Sequence, residues 1–263
     1  METIETDELW LTLIASNIVC GITKKNAGNY SLGNRSISGI IKIHYQLFHL
    51  LKNTDELWSK SARTTSIMQA EHGNRVHLVA TGEKSTVHDG DAIIYRGLGG
   101  CWYPTGGCPT YVFYDHEAKL SGIIHAGWRS VSKNIIKRFI DLWEKNGGRA
   151  ASTTVTQLPA IYGCCLSYIP DNFRRDVLPR FTHLENTDKD TRMEYYVREE
   201  DRIIYFDLLG LTRKLIASRT YEVRKASVCI CCSGIYNCYR CDDTDGIKYR
   251  NAVFVISANN LAT

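Results

Sequence analysis

Eight short runs of β-branched and aromatic residues punctuate the chain, at 76–80, 92–95, 109–114, 120–125, 152–158, 202–206, 227–231 and 252–257, each bounded by Gly, Asp or Asn. Runs this short, closed by turn formers, predict strands rather than helices. Between them lie four longer stretches with helical character, at 39–51, 131–146, 169–181 and 207–218. In the second, Val131, Ile135, Ile136, Phe139, Ile140 and Trp143 recur at helical spacing, so one face is apolar. Ser130 is placed to cap its start, and Gly147-Gly148 to stop it. In the fourth, Leu208, Leu209, Leu211, Leu215 and Ile216 repeat the pattern. Strands and helices interleave, which predicts a mixed α/β protein. No repeat and no Pro/Gly/Ser-rich linker divides the 263 residues, so a single domain is expected.

Composition narrows the function classes. The net charge is +4 and the basic residues are scattered, with only short pairs such as Lys24-Lys25 and Arg174-Arg175. That pattern predicts a solvated surface rather than a nucleic-acid groove. The first residues are acidic, and no run approaches the roughly 18 apolar residues of a membrane span. A cytoplasmic protein with neither a membrane nor a nucleic acid as partner is expected, and nothing in the sequence specifies an oligomeric state. Ten cysteines are present. In a reducing compartment they are expected as free or metal-bound thiols.

Three segments carry candidate chemistry. Glu71-His72-Gly73-Asn74-Arg75-Val76 places a His and a Gly just ahead of a strand. Gly106-Gly107-Cys108-Pro109 places a Cys at the mouth of the next one, after a glycine turn. In Ser121-Gly122-Ile123-Ile124-His125, a His ends a buried strand before the small-residue turn Ala126-Gly127 and a helix. A chain reversal near 116–119 would bring Cys108 and His125 to one end of a strand pair. With His72 they supply two imidazoles and one thiolate, a donor set that leaves a fourth position open on a zinc ion. Arg129, at the start of the following helix, is a candidate anion ligand. Asp91 and Glu71 are candidate proton-shuttling carboxylates, and Trp128 is a candidate stacking surface for a planar ligand.

The block His125-Ala126-Gly127-Trp128-Arg129 resembles the HAGWR signature of the multicopper polyphenol oxidase, or laccase-domain, family of zinc-dependent purine nucleoside enzymes. Other segments follow in the same order. Glu71 to Val76 is similar to that family's VHG segment, Asp91-Ala92-Ile93-Ile94 to its DALV strand, and Gly107-Cys108-Pro109 with Tyr114-Asp115 to its ADC.PVLLYD run. Pro159-Ala160-Ile161 with Cys164-Cys165 resembles GP.IG.CCYEV, and Tyr205-Phe206-Asp207-Leu208 resembles YLDL. Tyr239-Arg240 with Asp242, and then Arg250, resembles the SYRRD...GR tail, and Leu32-Gly33 a shortened NLG element.

The resemblance implies one α/β domain of layered mixed β-sheets flanked by helices. It implies a single zinc ion on His72, Cys108 and His125, with Cys108, His125 and Arg129 catalytic and Arg129, Arg240 and Arg250 binding substrate. The implied substrates are purine nucleosides (adenosine, inosine, guanosine or methylthioadenosine) and phosphate, with phosphorolysis as the reaction and deamination of adenosine as a possible addition. The chain departs from the pattern at Gly107, where the family has Asp, and at Ala70, where it has Gln, although Gln69 precedes it. It departs again at Leu166-Ser167 for Tyr-Glu, at Cys241 for Arg, and at Lys24 and Lys25 for Arg. The rival readings are a copper-dependent phenol oxidase, an editing factor for cell-wall precursors, and a non-catalytic zinc-binding protein. Cys229, Cys232, Cys238 and Cys241 make a C-x2-C-x5-C-x2-C array, which reads either as a second, structural zinc site or as free buried thiols.

Overall fold

In the computed structural model, residues 3–32, 37–52, 65–80, 86–97, 99–184, 192–241 and 249–257 are described. Gly33 and Asp242 lie outside them. Among the described residues the strands form three sheets. The largest contains β1 (Thr3–Glu5), β2 (Leu9–Ala15), β3 (Ile18–Thr23), β4 (Thr65–Gln69), β6 (Val87–Asp89), β8 (Gly99–Thr105) and β16 (Asn251–Ser257) in the order β1-β2-β3-β16-β8-β4-β6. The second contains β5 (Val76–Val79), β7 (Ala92–Arg96), β9 (Thr110–Asp115), β10 (Leu120–His125), β11 (Thr153–Gln157) and β15 (Val223–Arg224), ordered β15-β11-β9-β10-β7-β5. A small antiparallel sheet joins β12 (Ser167–Tyr168), β14 (Ile203–Phe206) and β13 (Val197–Glu200). Both large sheets mix parallel and antiparallel pairs. The fold is mixed α/β, with layered mixed sheets and few helices.

The helices are α1 (Ile37–Lys52), α2 (Trp128–Val131), α3 (Ile135–Lys145), α4 (Leu208–Ala217) and α5 (Ile230–Ser233), with an irregular helical segment from Pro170 to Leu184. One continuous apolar cluster joins inward residues of both large sheets, such as Ile22, Tyr103 and Val253 from one and Ile93, Val112 and Ile123 from the other, to α3 and α4. A second cluster fills the other face of the larger sheet, where Trp102, Phe254 and Ile256 meet Ile43, Leu47 and Leu51 of α1. Each such fully buried side chain contributes about 1.5–3 kcal/mol.

The amphipathic helix expected from Val131 starts only at Ile135, and Val131 instead ends the short helix α2 before it. Asn134 adopts a left-handed conformation (φ 63°) and separates α2 from α3. Asn tolerates that region better than most residues. Ser130 therefore does not cap the helix; it is buried, and its hydroxyl donates to Asp91. The stop is as expected, with Gly147 at φ 97°. Phe139 and Trp143 of α3 are fully buried, and a Cβ on Gly122 of β10 would come within 2.7 Å of the Phe139 ring. Glycine there lets helix and sheet approach.

Residues 227–231, expected as a strand, form only an isolated bridge between Cys229 and Ala160 before turning into α5. The β2–β3 hairpin, β4 and β8 were not anticipated. β3 is buried throughout and so lacks the alternation that marks a half-exposed strand.

Candidate metal centre

The β9–β10 hairpin sets two of the three donors. Its register pairs His125 with Thr110, and the Ala126 N–H donates to the Pro109 carbonyl at 2.8 Å. Cys108, just ahead of β9, is thereby brought beside His125 at the end of β10. The third donor arrives from the loop after β4. His72 sits there in a left-handed conformation (φ 57°), unusual for a residue with a side chain. The loop is tied from two sides. The His72 and Gly73 N–H groups donate to the two oxygens of Asp91 at 3.0 and 2.6 Å, and Lys133 Nζ donates to the His72 carbonyl at 2.9 Å. The donor atoms of His72, Cys108 and His125 all lie within 4.8 Å of one another.

Asp91 is the residue around which the centre is built. It is fully buried, and besides the two backbone groups it accepts the His125 Nδ1–H at 2.8 Å and the Ser130 hydroxyl at 2.9 Å. With Nδ1 so engaged, His125 turns Nε2 toward Cys108. A metal-binding imidazole is commonly oriented by a carboxylate in this way. Burial pushes the Asp91 carboxyl up, but the hydrogen bonds from His125, Gly73 and Ser130 outweigh it and hold the group below the ordinary carboxylate range. Burial also opposes ionisation of Cys108, and the adjoining imidazoles of His125 and His72 overcome it, bringing the thiol down to about 6. Burial disfavours the His125 cation, but Cys108 and Asp91 carry its pKa up to about 9. A thiolate is the form a metal requires. Gly127 completes the cradle, because a Cβ there would lie 3.1 Å from His125 Nε2 and 3.4 Å from Cys108 Sγ. Two imidazoles and a thiolate converging on one space, with a carboxylate behind, fit a single transition-metal ion.

The three donors open onto a cavity of about 550 Å³ that is also lined by Arg129, Arg240 and Arg250. Each guanidinium lies over an aromatic ring: Arg129 over Trp128 at 4.5 Å, Arg240 over Tyr168 at 4.7 Å and Arg250 over Tyr239 at 5.2 Å. Such stacking holds a cation against an apolar wall while leaving its edge for an anion. Arg240 also donates to the Ser167 carbonyl, and Arg250 to that of Tyr249. Among the described residues the lining holds no carboxylate. Asp91 stands behind His125 rather than on the wall, and Glu71 is exposed near Arg75. Neither occupies the shuttle position considered for it.

Arg129 belongs to a helix of only four residues. A helix this short offers little dipole, so what Arg129 presents to the cavity is its guanidinium alone. Tyr239 stood in the sequence only as part of the SYRRD-like block, and Tyr168 had no signal there, because its partner Arg240 is remote along the chain.

The departures from the family pattern also find their places. Gly107 has φ 116°, and a Cβ on it would come within 2.5 Å of Ile161. Ala70, Gln69 and Leu166 line the cavity. Lys24 is buried elsewhere, against Glu5 and the Thr6 carbonyl. The C-x2-C-x5-C-x2-C array does not converge. Cys231 and Cys241 form a disulfide, contrary to the expectation of thiols throughout, and Cys238 lies beside them. Cys229 and Cys232 turn the other way, toward Cys164 and Cys165. The α5 turn causes this split, since it sends Cys231 and Cys232 to different sides.

Comparison with known proteins agrees with this architecture. Over 166 residues the chain is 24% identical to the purine nucleoside phosphorylase YlmD of Bacillus subtilis, covering 56% of this chain and 58% of that protein. Over 125 residues it is 25% identical to the purine nucleoside phosphorylase of Borreliella burgdorferi, covering 48% and 51%. The matched region thus spans little more than half the length of these relatives. Two crystal structures share the fold over nearly their whole length. YlmD from Geobacillus stearothermophilus has a TM-score of 0.79 at 18% identity, covering 97% of this chain and 98% of that one. The hypothetical protein YfiH of Bacillus licheniformis has a TM-score of 0.78 at 19% identity, covering 96% and 97%. Residues 49–255, which hold all three donors and the three arginines, match the model of the multi-copper polyphenol oxidoreductase laccase family, and the chain belongs to that family.

Proposed function

We propose that the protein is a zinc-dependent purine nucleoside phosphorylase, cleaving nucleosides such as adenosine, inosine or guanosine with phosphate. The observation that carries this reading is the cavity itself, in which a two-imidazole, one-thiolate centre faces three arginines stacked on aromatic rings. Guanidinium forks suit a phosphate oxyanion. The faces of Trp128, Tyr168 and Tyr239 suit a purine and a ribose. The names of the two relatives above point the same way.

His72, Cys108 and His125 would hold the zinc ion, which would supply a Lewis acid to a cavity whose other charged lining groups, among the described residues, are arginines. Asp91 keeps His125 in the tautomer that presents Nε2. The arginines gather phosphate and offset its charge as a phosphate oxygen bonds to the ribose C1′, the bond from C1′ to the base breaks, and the base leaves with a proton taken from the phosphate or from water. Deamination is the less supported activity, because zinc deaminases use a carboxylate as proton shuttle and the described lining has none. A copper-dependent phenol oxidase is also less supported. A His2Cys set binds copper well, but multicopper oxidation needs several coppers, and one such centre faces the cavity among the described residues.

The deciding experiment incubates zinc-loaded protein with adenosine, inosine and guanosine, with and without phosphate, and separates the products by chromatography. Free base released only with phosphate, and lost in Cys108→Ala, is the expected result. No base from any nucleoside, or undiminished turnover by a verified zinc-free Cys108→Ala protein, would sink the proposal.

A further inference from the structure

Away from the cavity, four cysteines meet that are remote in sequence. Cys164 and Cys165 lie on the turn after Ile161, while Cys229 and Cys232 flank the start of α5. The two segments are stitched together by the parallel bridge Ala160–Cys229 and by the Ile230 N–H donating to the Ala160 carbonyl at 3.0 Å. All four sulfurs fall within 4.8 Å of one another. Cys164 Sγ lies 3.7, 3.9 and 3.6 Å from those of Cys165, Cys229 and Cys232, and Cys165 Sγ lies 3.2 Å from that of Cys232.

The three separations from Cys164 match one shape, and the 3.2 Å between Cys165 and Cys232 is short of it by about half an ångström. A tetrahedral ion with metal–sulfur bonds of about 2.3 Å sets its sulfurs about 3.8 Å apart along every edge. A disulfide would instead pair each sulfur with a single partner at about 2.05 Å. Cys164 has no single partner; it is almost equally far from three others, like one vertex of a tetrahedron. All four are free thiols, while Cys231 next door is bonded to Cys241. The ligand backbone is arranged to support negative sulfur. Cys229 Sγ accepts the Tyr162 N–H at 3.5 Å and also faces the N–H groups of Cys231 and Cys232. Hydrogen bonds of this kind steady a coordinating sulfur.

We propose that Cys164, Cys165, Cys229 and Cys232 form a closed tetrathiolate site for one structural zinc ion, separate from the centre in the cavity. With four protein donors no position remains open for a substrate, which marks the site as structural. Binding displaces the thiol protons and ties together two loops. One of them runs directly into the cavity wall, where Ile161 and Leu166 bracket the cysteine pair. The site stands whether or not the cavity proves to be a phosphorylase.

The test uses the full chain carrying Cys108→Ala, which removes the thiolate of the cavity centre and leaves the cluster intact. Purified under reductant and loaded with zinc, this protein is expected to retain one ion per chain. Its cobalt form should show the intense sulfur-to-metal charge-transfer band and tetrahedral d–d bands of four thiolates. Adding Cys165→Ser and Cys232→Ser should abolish both. The proposal is overturned if Cys108→Ala protein retains no metal, if its cobalt spectrum lacks thiolate bands, or if its mass shows the four cysteines paired as disulfides. Because Cys108→Ala alone decides, a folding failure of the triple variant does not protect the proposal.

Discussion

At Asp91, two carboxylate oxygens accept hydrogen bonds from the His125 ring, the Ser130 hydroxyl and the backbone of His72 and Gly73. The same group thus aims one donor of the candidate metal centre and fixes the loop that carries another. Asp91→Asn keeps the shape but loses the charge and one acceptor. Removing an orienting partner of this kind lowers metal affinity by about 10–100-fold. Competition with a chromophoric chelator measures it, and unchanged affinity would exclude the role. In the sequence Asp91 was visible as an acid near a candidate site and as the start of the DALV-like segment, but not as the carboxylate that orients His125, because its partners are reached through space. His72, Cys108 and His125 were easier to find. Each is a donor residue type next to a glycine turn at a strand end, and the HAGWR block singled out His125. Arg129, Arg240 and Arg250 all reach the cavity, but the aromatic faces beneath them depend on the tertiary fold.

Among the elements, the β9–β10 hairpin is tied at both ends. Opposite the metal centre, the buried Asp115 accepts from the N–H groups of Glu117, Ala118 and Arg149 and from the hydroxyls of Ser152 and Thr153. Burial pushes this carboxyl up, but its donors hold it below the ordinary value. A carboxyl depressed in the folded state stabilises fully above its unfolded pKa, about 3.9. That contribution is lost as the pH falls through the lower folded value. Asp115→Asn should therefore cost about 1–3 kcal/mol at neutral pH and flatten the acid limb of the stability curve, as read from urea titrations between pH 2 and 7. The turn preceding the hairpin gives a second prediction. Gly107→Asp restores the residue usual in the family but meets both a positive φ and Ile161. It is expected to destabilise the fold by about 1–3 kcal/mol and to lower metal content through the displaced Cys108; full metal content at wild-type stability would contradict this. The short strands and α3 followed from periodicity and turn residues. The α2–α3 break did not, because a left-handed Asn134 leaves the apolar spacing unchanged. β8 was hidden for another reason. Its Gly-Gly start and Pro104 interrupt the β-branched pattern by which a strand is recognised, whereas Gly100 is needed where a Cβ would come within 2.3 Å of the Val255 carbonyl.

Across the whole molecule, the class of fold followed from the alternation of elements, while the strand order did not. Periodicity carries no information about which strands become neighbours, and the larger sheet joins segments from both ends of the described chain. Its middle is β16, pairing Val253 with Ile22 of β3 on one side and with Tyr103 of β8 on the other. Phe254 is fully buried against the α1 layer. Phe254→Ala should cost about 3–5 kcal/mol, and equilibrium denaturation would register a loss under 1 kcal/mol as evidence against this central role. The position of β16 also bears on how the protein is made. A ribosome delivers β3 and β8 long before their common neighbour, so the two halves of this sheet must wait unjoined, with their inner edges bare, until residue 257 has emerged. Arg250 enters the cavity on the same late segment. A chain stopped short of β16 would therefore leave the facing edges of β3 and β8 bare, the kind of unpaired strand edge on which incomplete chains stick to one another.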